Sequence, residues 1–198
     1  CNSDFDCNQV GALGIIDSNY DNGDIEEAFV FDGIDDYIDV GNDSSIRNSM
    51  TNMTISAWVK LDVVLGNNNT NYPIFSNELF GHSGYLFRIE DTTFPPTSGK
   101  ILIRTNQHLS IDQVRADAGS FPNDKKWHHI VARKRGTEGK IFVDGSEVDS
   151  YELTGPLDNP TSNTENGFIG REASQYFKGS MDDLRIYNTD LTDAQISE

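Results

Sequence analysis

Residues 53–61 read MTISAWVKL, and their alternation decides the fold. Met53, Ile55, Ala57, Val59 and Leu61 fall on one face, with polar residues and Trp58 between them. A period of two is that of a strand buried on one side. The same period recurs in GYLFRIE (84–90), KILIRT (100–105), HHIVARK (128–134) and GKIFVDG (139–145). The last run ends in Asp144-Gly145, a strong hairpin turn signal, and SEVDSYEL (146–153) follows as the return strand. FKGSMDDLRIY (177–187) is a further strand near the end. About a dozen short strands separated by Gly, Asn, Asp and Pro imply an all-β, antiparallel sandwich or barrel.

Upstream, FVFDGIDDYIDVG (29–41) packs four aspartates among apolar residues. Asp39 alternates with Ile38 and Val40 and belongs to a wet strand face. Asp35 and Asp36 fall in the connecting loop. Asp32 sits at a strand end beside Gly33 and keeps a claim as a metal ligand. At the other end, LTDAQISE (191–198) begins a short C-terminal helix, with Thr192 as N-cap and Gln195 completing a capping box. The chain stops about two turns into that helix. The expectation is a single domain, 1–198, excised from a larger protein.

The totals bound the partners. With 15 basic and 32 acidic residues the net charge is −17. Phosphate backbones and anionic membranes need the opposite sign, so nucleic acid is not an expected partner. No apolar run approaches the ~18 residues of a membrane helix, so no membrane insertion is expected. A chain of 198 residues buries roughly 70% of its unfolded surface and needs no disulfide framework. The cysteines, Cys1 and Cys7, either pair locally or stay free thiols. DSNYDNGD (17–24) starts like an EF-hand loop, but Asn22 stands where the glycine belongs and Ala28 where the last glutamate belongs.

Taken in order, AFVFDGIDDYIDVG (28–41), MTISAWVKL, KKWHHIVARKR (125–135), GKIFVDGSEV (139–148) and GSMDDLRIYNTDLTDAQI (179–196) resemble the laminin G-like domains of the concanavalin A-like lectin and glucanase superfamily. The resemblance runs from about residue 10 to 198. It implies a two-sheet antiparallel jelly roll whose first and last strands are neighbours. It also implies a non-catalytic module of a secreted or cell-surface protein that binds glycans or proteins, often with one structural Ca²⁺. If the terminal strands are neighbours, Asp32 and Asp182 or Asp183 would converge on that cation. The resemblance also places Trp127, before the histidine pair, in the core.

Sugar binding needs planar aromatics for stacking and forked polar groups for hydroxyls. Tyr72, Phe80, His82, Tyr85, Arg88, Arg104 and His108 are the candidates. Arg88 and Arg104 fall in strands that pair on one sheet if adjacent, where they would face an acidic sugar. His128 and His129 point to opposite faces of one strand and do not share a metal.

A rival reading is a family 16-like glycanase, because EVDSYE (147–152) matches E-x-D-x-x-E. Glu147 would be the nucleophile, Asp149 a helper and Glu152 the acid/base. Its place on a short hairpin strand, facing water, argues against catalysis. The leading expectation is therefore a carbohydrate-binding or adhesion module with no enzyme activity, located outside the cell or on its surface beside other domains of a parent chain. A protein-interaction or architectural spacer is the alternative.

Overall fold

The run at 53–61 becomes β4 (Asn52–Leu61), the fourth of seven strands in the larger of two antiparallel sheets. The architecture comes from a computed structural model of the chain, which describes residues 15–16, 28–43, 46, 52–66, 69–78, 83–91, 99–107, 110–115, 120–152 and 165–197. The other strands are β1 (Ile15–Ile16), β2 (Ala28–Asp32), β3 (Ile38–Gly41), β5 (Thr70–Ser76), β6 (Ser83–Asp91), β7 (Lys100–Gln107), β8 (Ser110–Arg115) and β9 (His128–Arg135). They continue with β10 (Glu138–Val143), β11 (Ser146–Glu152), β12 (Gly167–Ile169), β13 (Arg171–Glu172), β14 (Gln175–Tyr176) and β15 (Lys178–Tyr187), and the helix α1 spans Asp193–Ile196. The seven-stranded sheet runs β1-β2-β15-β4-β9-β10-β11, and the six-stranded sheet runs β3-β12-β5-β6-β7-β8. This is the expected two-sheet sandwich, with the early strand β2 beside the last strand β15.

The core fills the space between the sheets, and the alternation of each strand explains who is in it. Met53, Ile55, Ala57, Val59 and Leu61 of β4 meet Tyr85, Phe87 and Ile89 of β6 and Ile101 and Ile103 of β7 in one cluster. A side chain of this size contributes about 1.5–3 kcal/mol when fully buried. Trp127 is a correction. It lies half-buried outside this cluster, with the Lys60 Nζ 6.0 Å from its ring centroid. It precedes β9 with the parity of His129, which stacks on Trp58 on the outer face at 5.2 Å between centroids. His128 turns the other way, against Phe121, as expected.

Two local signals were legible residue by residue. Asp144 and Gly145, at φ 49° and 75°, make the turn between β10 and β11. Thr192 caps α1, and the reciprocal bond from Gln195 completes the capping box. The C-terminal segment then lies on the outer face of the larger sheet, where Leu191 and Ile196 pack on Val131 and Phe142.

The outer face of the six-stranded sheet positions the site. Leu86, Arg88 and Glu90 of β6 alternate with the core residues and point outward. Cross-strand pairing sets Arg88 opposite Leu102 and Arg104 opposite Leu86, so both arginines share that face. Leu86 and Leu102 are nevertheless fully buried. The small β13–β14 hairpin is tied to this face by Asn71, whose amide donates to Gln175 Oε1 at 2.8 Å.

Candidate functional site

A cleft of about 340 Å³ opens between the outer face of the six-stranded sheet and the β13–β14 hairpin. Its floor is Ser76, Glu78 and Arg104, and its walls are Glu165, Asn166 and Phe168 on one side and Arg171, Glu172 and Ala173 on the other. The floor is a fixed polar lattice. Arg104 grips Glu78 with Nε at 2.9 Å and Nη2 at 2.7 and 2.8 Å from its oxygens. Arg88 donates Nε and Nη2 to Glu90 Oε1 at 3.1 and 2.5 Å. Its Nη1 donates to both oxygens of Glu172 at 2.7 Å. Burial works against the Arg88 charge, but Glu172 and Glu90 outweigh it and hold the guanidinium above its usual range. Charge-assisted, forked bonds of this kind are the strong ones.

The walls carry the aromatic surface. The Arg171 guanidinium lies 4.7 Å from the Tyr37 ring and 4.9 Å from the Phe168 ring, and its Nε donates to Ala173 O at 3.2 Å. Tyr37 and Phe168 meet edge-on at 5.7 Å. Asn166 is oriented by Asp39, whose oxygens accept its amide at 2.9 and 3.0 Å. The cleft therefore offers an amide, a hydroxyl, guanidinium donors, carboxylate acceptors and a ring, all held from behind.

Of the sugar-contact candidates, Arg104 lines the cleft and Arg88 supports it through Glu172. Tyr72 and Tyr85 are corrected: at 4% and 2% exposure they belong to the core and offer no stacking face. Phe80, His82 and His108 lie outside the described residues. Asn166, Phe168, Arg171 and Glu172 escaped the sequence reading. Asn166 falls outside every alternating run, and a hairpin of two-residue strands leaves no periodicity to detect.

The sequence matches the laminin G profile of the concanavalin A-like lectin/glucanases superfamily over residues 32–197. The chain belongs to that superfamily. No curated protein sequence matches it. Among solved structures, this concanavalin A-like domain is similar to the binding domain of Paraclostridial Mosquitocidal Protein 1, at 17% identity and a TM-score of 0.71. That alignment covers 95% of this chain and 45% of the other, so the chain spans less than half of the toxin domain. Domain 4 of AbnA, a GH43 extracellular arabinanase from Geobacillus stearothermophilus solved with arabinotriose, gives 16% and 0.64, covering 94% of this chain and 80% of the other. The ligand-binding domain of botulinum neurotoxin serotype D, solved with N-acetylneuraminic acid, gives 18% and 0.65, covering 93% and 44%. These likenesses establish the fold.

Within this concanavalin A-like frame the expected pairing of Asp32 with Asp182 or Asp183 fails on register. Asp32 stands opposite Lys178 on β15. Asp182 is four residues further along the same strand, opposite Trp58, which is roughly 13 Å away. Asp183 occupies a bulge at φ 48° and pairs with Arg185 at 2.6 Å. What Asp32 does meet is its own loop: carboxylate oxygens of Asp32, Asp35 and Asp36 all lie within 4.8 Å of one another. Asp35 and Asp36, read in the sequence as loop residues, thus cluster with Asp32. Asp32 Oδ1 accepts the Ile34 N–H at 2.7 Å, and Asp36 Oδ2 accepts the Asp32 N–H at 2.9 Å. Asp36 is 5% exposed. Its burial, and then the charges of Asp32 and Asp35, push its carboxyl above the ordinary value despite the bond from Asp32.

In the glycanase-like motif, Glu147 and Asp149 are tied to neighbours on the surface. Glu147 is exposed on β11, the last strand of the larger sheet, and accepts the Lys140 ammonium at 2.7 Å. The Asp149 carboxylate accepts the adjacent Ser150 N–H at 2.8 Å.

Proposed function

We propose that the chain is a non-catalytic carbohydrate-binding module of a secreted or cell-surface protein. The observation that carries this reading is the cleft over the six-stranded sheet, where the ring of Phe168 stands beside preset donors and acceptors. Saccharides are held in such sites by a ring face and forked polar groups. Two similar structures were solved with a saccharide bound, arabinotriose in one and N-acetylneuraminic acid in the other. A glycan array followed by calorimetry tests it. Saturable binding is expected, and Phe168→Ala and Arg171→Ala should each weaken it by about tenfold or more. A flat array would favour a spacer or protein-binding module instead. Release of sugar from glucans, lost in Glu147→Gln, would favour the glycanase.

Calcium belongs to the same reading, in the 32–36 loop. Hard cations take carboxylate oxygens, and a cation would offset the burial, and then the neighbouring charges, that raise the Asp36 carboxyl. The sign follows from that shift. A carboxyl raised above 3.8 in the folded state costs stability as pH rises from that value through the folded one, and the cost then persists. In chelator, Asp36→Asn is therefore expected to melt higher than wild type at neutral pH, because asparagine still accepts the Asp32 N–H. With added Ca²⁺ the wild type should gain in melting temperature while Asp36→Asn gains less. An identical melt of the wild type with Ca²⁺ and with chelator would remove calcium from the reading.

A further inference from the structure

We infer that the cleft takes neutral, hydroxyl-rich saccharides and turns away carboxylated ones, and that Glu172 sets this choice. The inference rests on the carbohydrate-binding reading above and specifies its ligand class.

Arg88 and Arg104 sit on adjacent strands with their side chains on one face. Two neighbouring guanidiniums make a clamp suited to an anionic ligand, and the sequence suggested such a role. The structure fills that clamp from within. The β13–β14 hairpin brings the Glu172 carboxylate 2.7 Å from Arg88 Nη1 and 3.6 Å from Arg104 Nη2. The side chains concerned are only 10–17% exposed. A ligand carboxylate would have to take the place that Glu172 already holds.

The remaining charges reinforce this. Glu78 occupies the forked face of Arg104 and Glu90 the Nε side of Arg88. Glu78, Glu90 and Glu172 thus outnumber the two guanidiniums by one. In the walls Arg171 is matched by Glu165. The lining is net negative on a protein of charge −17. Placing another carboxylate among these oxygens is a like-charge contact, which disfavours the anionic ligand. A hydroxyl both donates and accepts, so it serves equally the glutamate oxygens, the Asn166 amide and the Arg171 guanidinium. The cleft therefore excludes by repulsion and selects by neutral hydrogen bonding.

Calorimetry on the whole chain at low salt tests this with arabinotriose, cellotriose and galactotriose against trigalacturonic acid and sialyllactose. Neutral probes are expected to bind, and carboxylated ones to bind at least about tenfold more weakly. Raising NaCl to about 0.5 M should narrow the gap, because the exclusion is electrostatic. Glu172→Gln keeps an acceptor for Arg88 but removes the charge, and should narrow the gap at low salt by strengthening the carboxylated probes several-fold. Wild-type binding of the carboxylated probes as tight as that of the neutral ones would overturn the inference and leave the carbohydrate-binding reading standing. Binding of neither set would overturn both. A gap that salt narrows but a folded Glu172→Gln does not would remove Glu172 from the role.

Discussion

Gly179→Ala is expected to lose about 4 kcal/mol of stability or more and to accumulate as insoluble protein. Gly179 lies in β15 between two partners, opposite Phe31 of β2 and Leu61 of β4. Its φ of 145° is one that residues with a side chain seldom adopt. The larger problem is space. A Cβ there would stand 2.1 Å from Lys60 O, 3.0 Å from Leu61 Cα and 3.1 Å from Asp62 N. All three are backbone atoms, so no rotamer change relieves the clash. β15 would have to move off β4 where Asp62 N–H donates to Lys178 O at 3.2 Å. That movement would also unseat Phe177 and Met181, both fully or nearly fully buried. Chemical denaturation of whatever fraction folds measures the loss. A soluble variant within about 1 kcal/mol of wild type would refute the expectation.

Arg133→Ala is expected to cost about 3 kcal/mol and to release the C-terminal segment. Arg133 is 4% exposed on the outer face of the larger sheet. It donates through Nη1 to Leu191 O at 2.9 Å and to the Asp193 carboxylate, and its guanidinium lies 5.2 Å from the Phe142 ring. One side chain therefore holds the stretch before α1, the first turn of α1 and the sheet beneath. Thr54 helps, since its hydroxyl donates to Thr189 O at 3.0 Å and accepts the Leu191 N–H at 3.0 Å. Arg133→Met keeps the apolar stem over Phe142 and should lose less. Proteolysis near residue 190, faster in the alanine variant than in wild type, would report the release. Equal cleavage rates and an unchanged denaturation midpoint would count against it.

What the sequence made legible was local. A period of two assigns each residue of 53–61 to a face, and Tyr85 shares a face with Phe87 and Ile89 in 84–90. The core position of Tyr85 is thus already written in that run, and parity there outweighs its ring as a sugar-contact candidate. The hairpin turn at Asp144-Gly145 and the cap at Thr192 rest on chemistry within a few residues, and both appear as read. Register is different. Alternation says which face a residue takes but not how far along its partner it sits. The family resemblance implies β2 beside β15, while the offset that parts Asp32 from Asp182 is set by contacts distant in the chain. The same holds for Arg88 and Arg104. Their shared face follows from parity, but the carboxylate between them comes from a hairpin more than 60 residues later, where no pattern announces it.

On the carbohydrate-binding reading, that hairpin shapes the cleft while standing apart from the main core. Residues 171–176 contribute no side chain to the main core cluster, whereas Phe177 immediately after them does. The main core can therefore stand while this hairpin changes, provided that the buried Arg88 keeps a carboxylate partner in place of Glu172. If the cleft binds sugars as proposed, exchanging this one excursion would give a panel of modules with different ligand choices on a common scaffold, much as a handle accepts different bits.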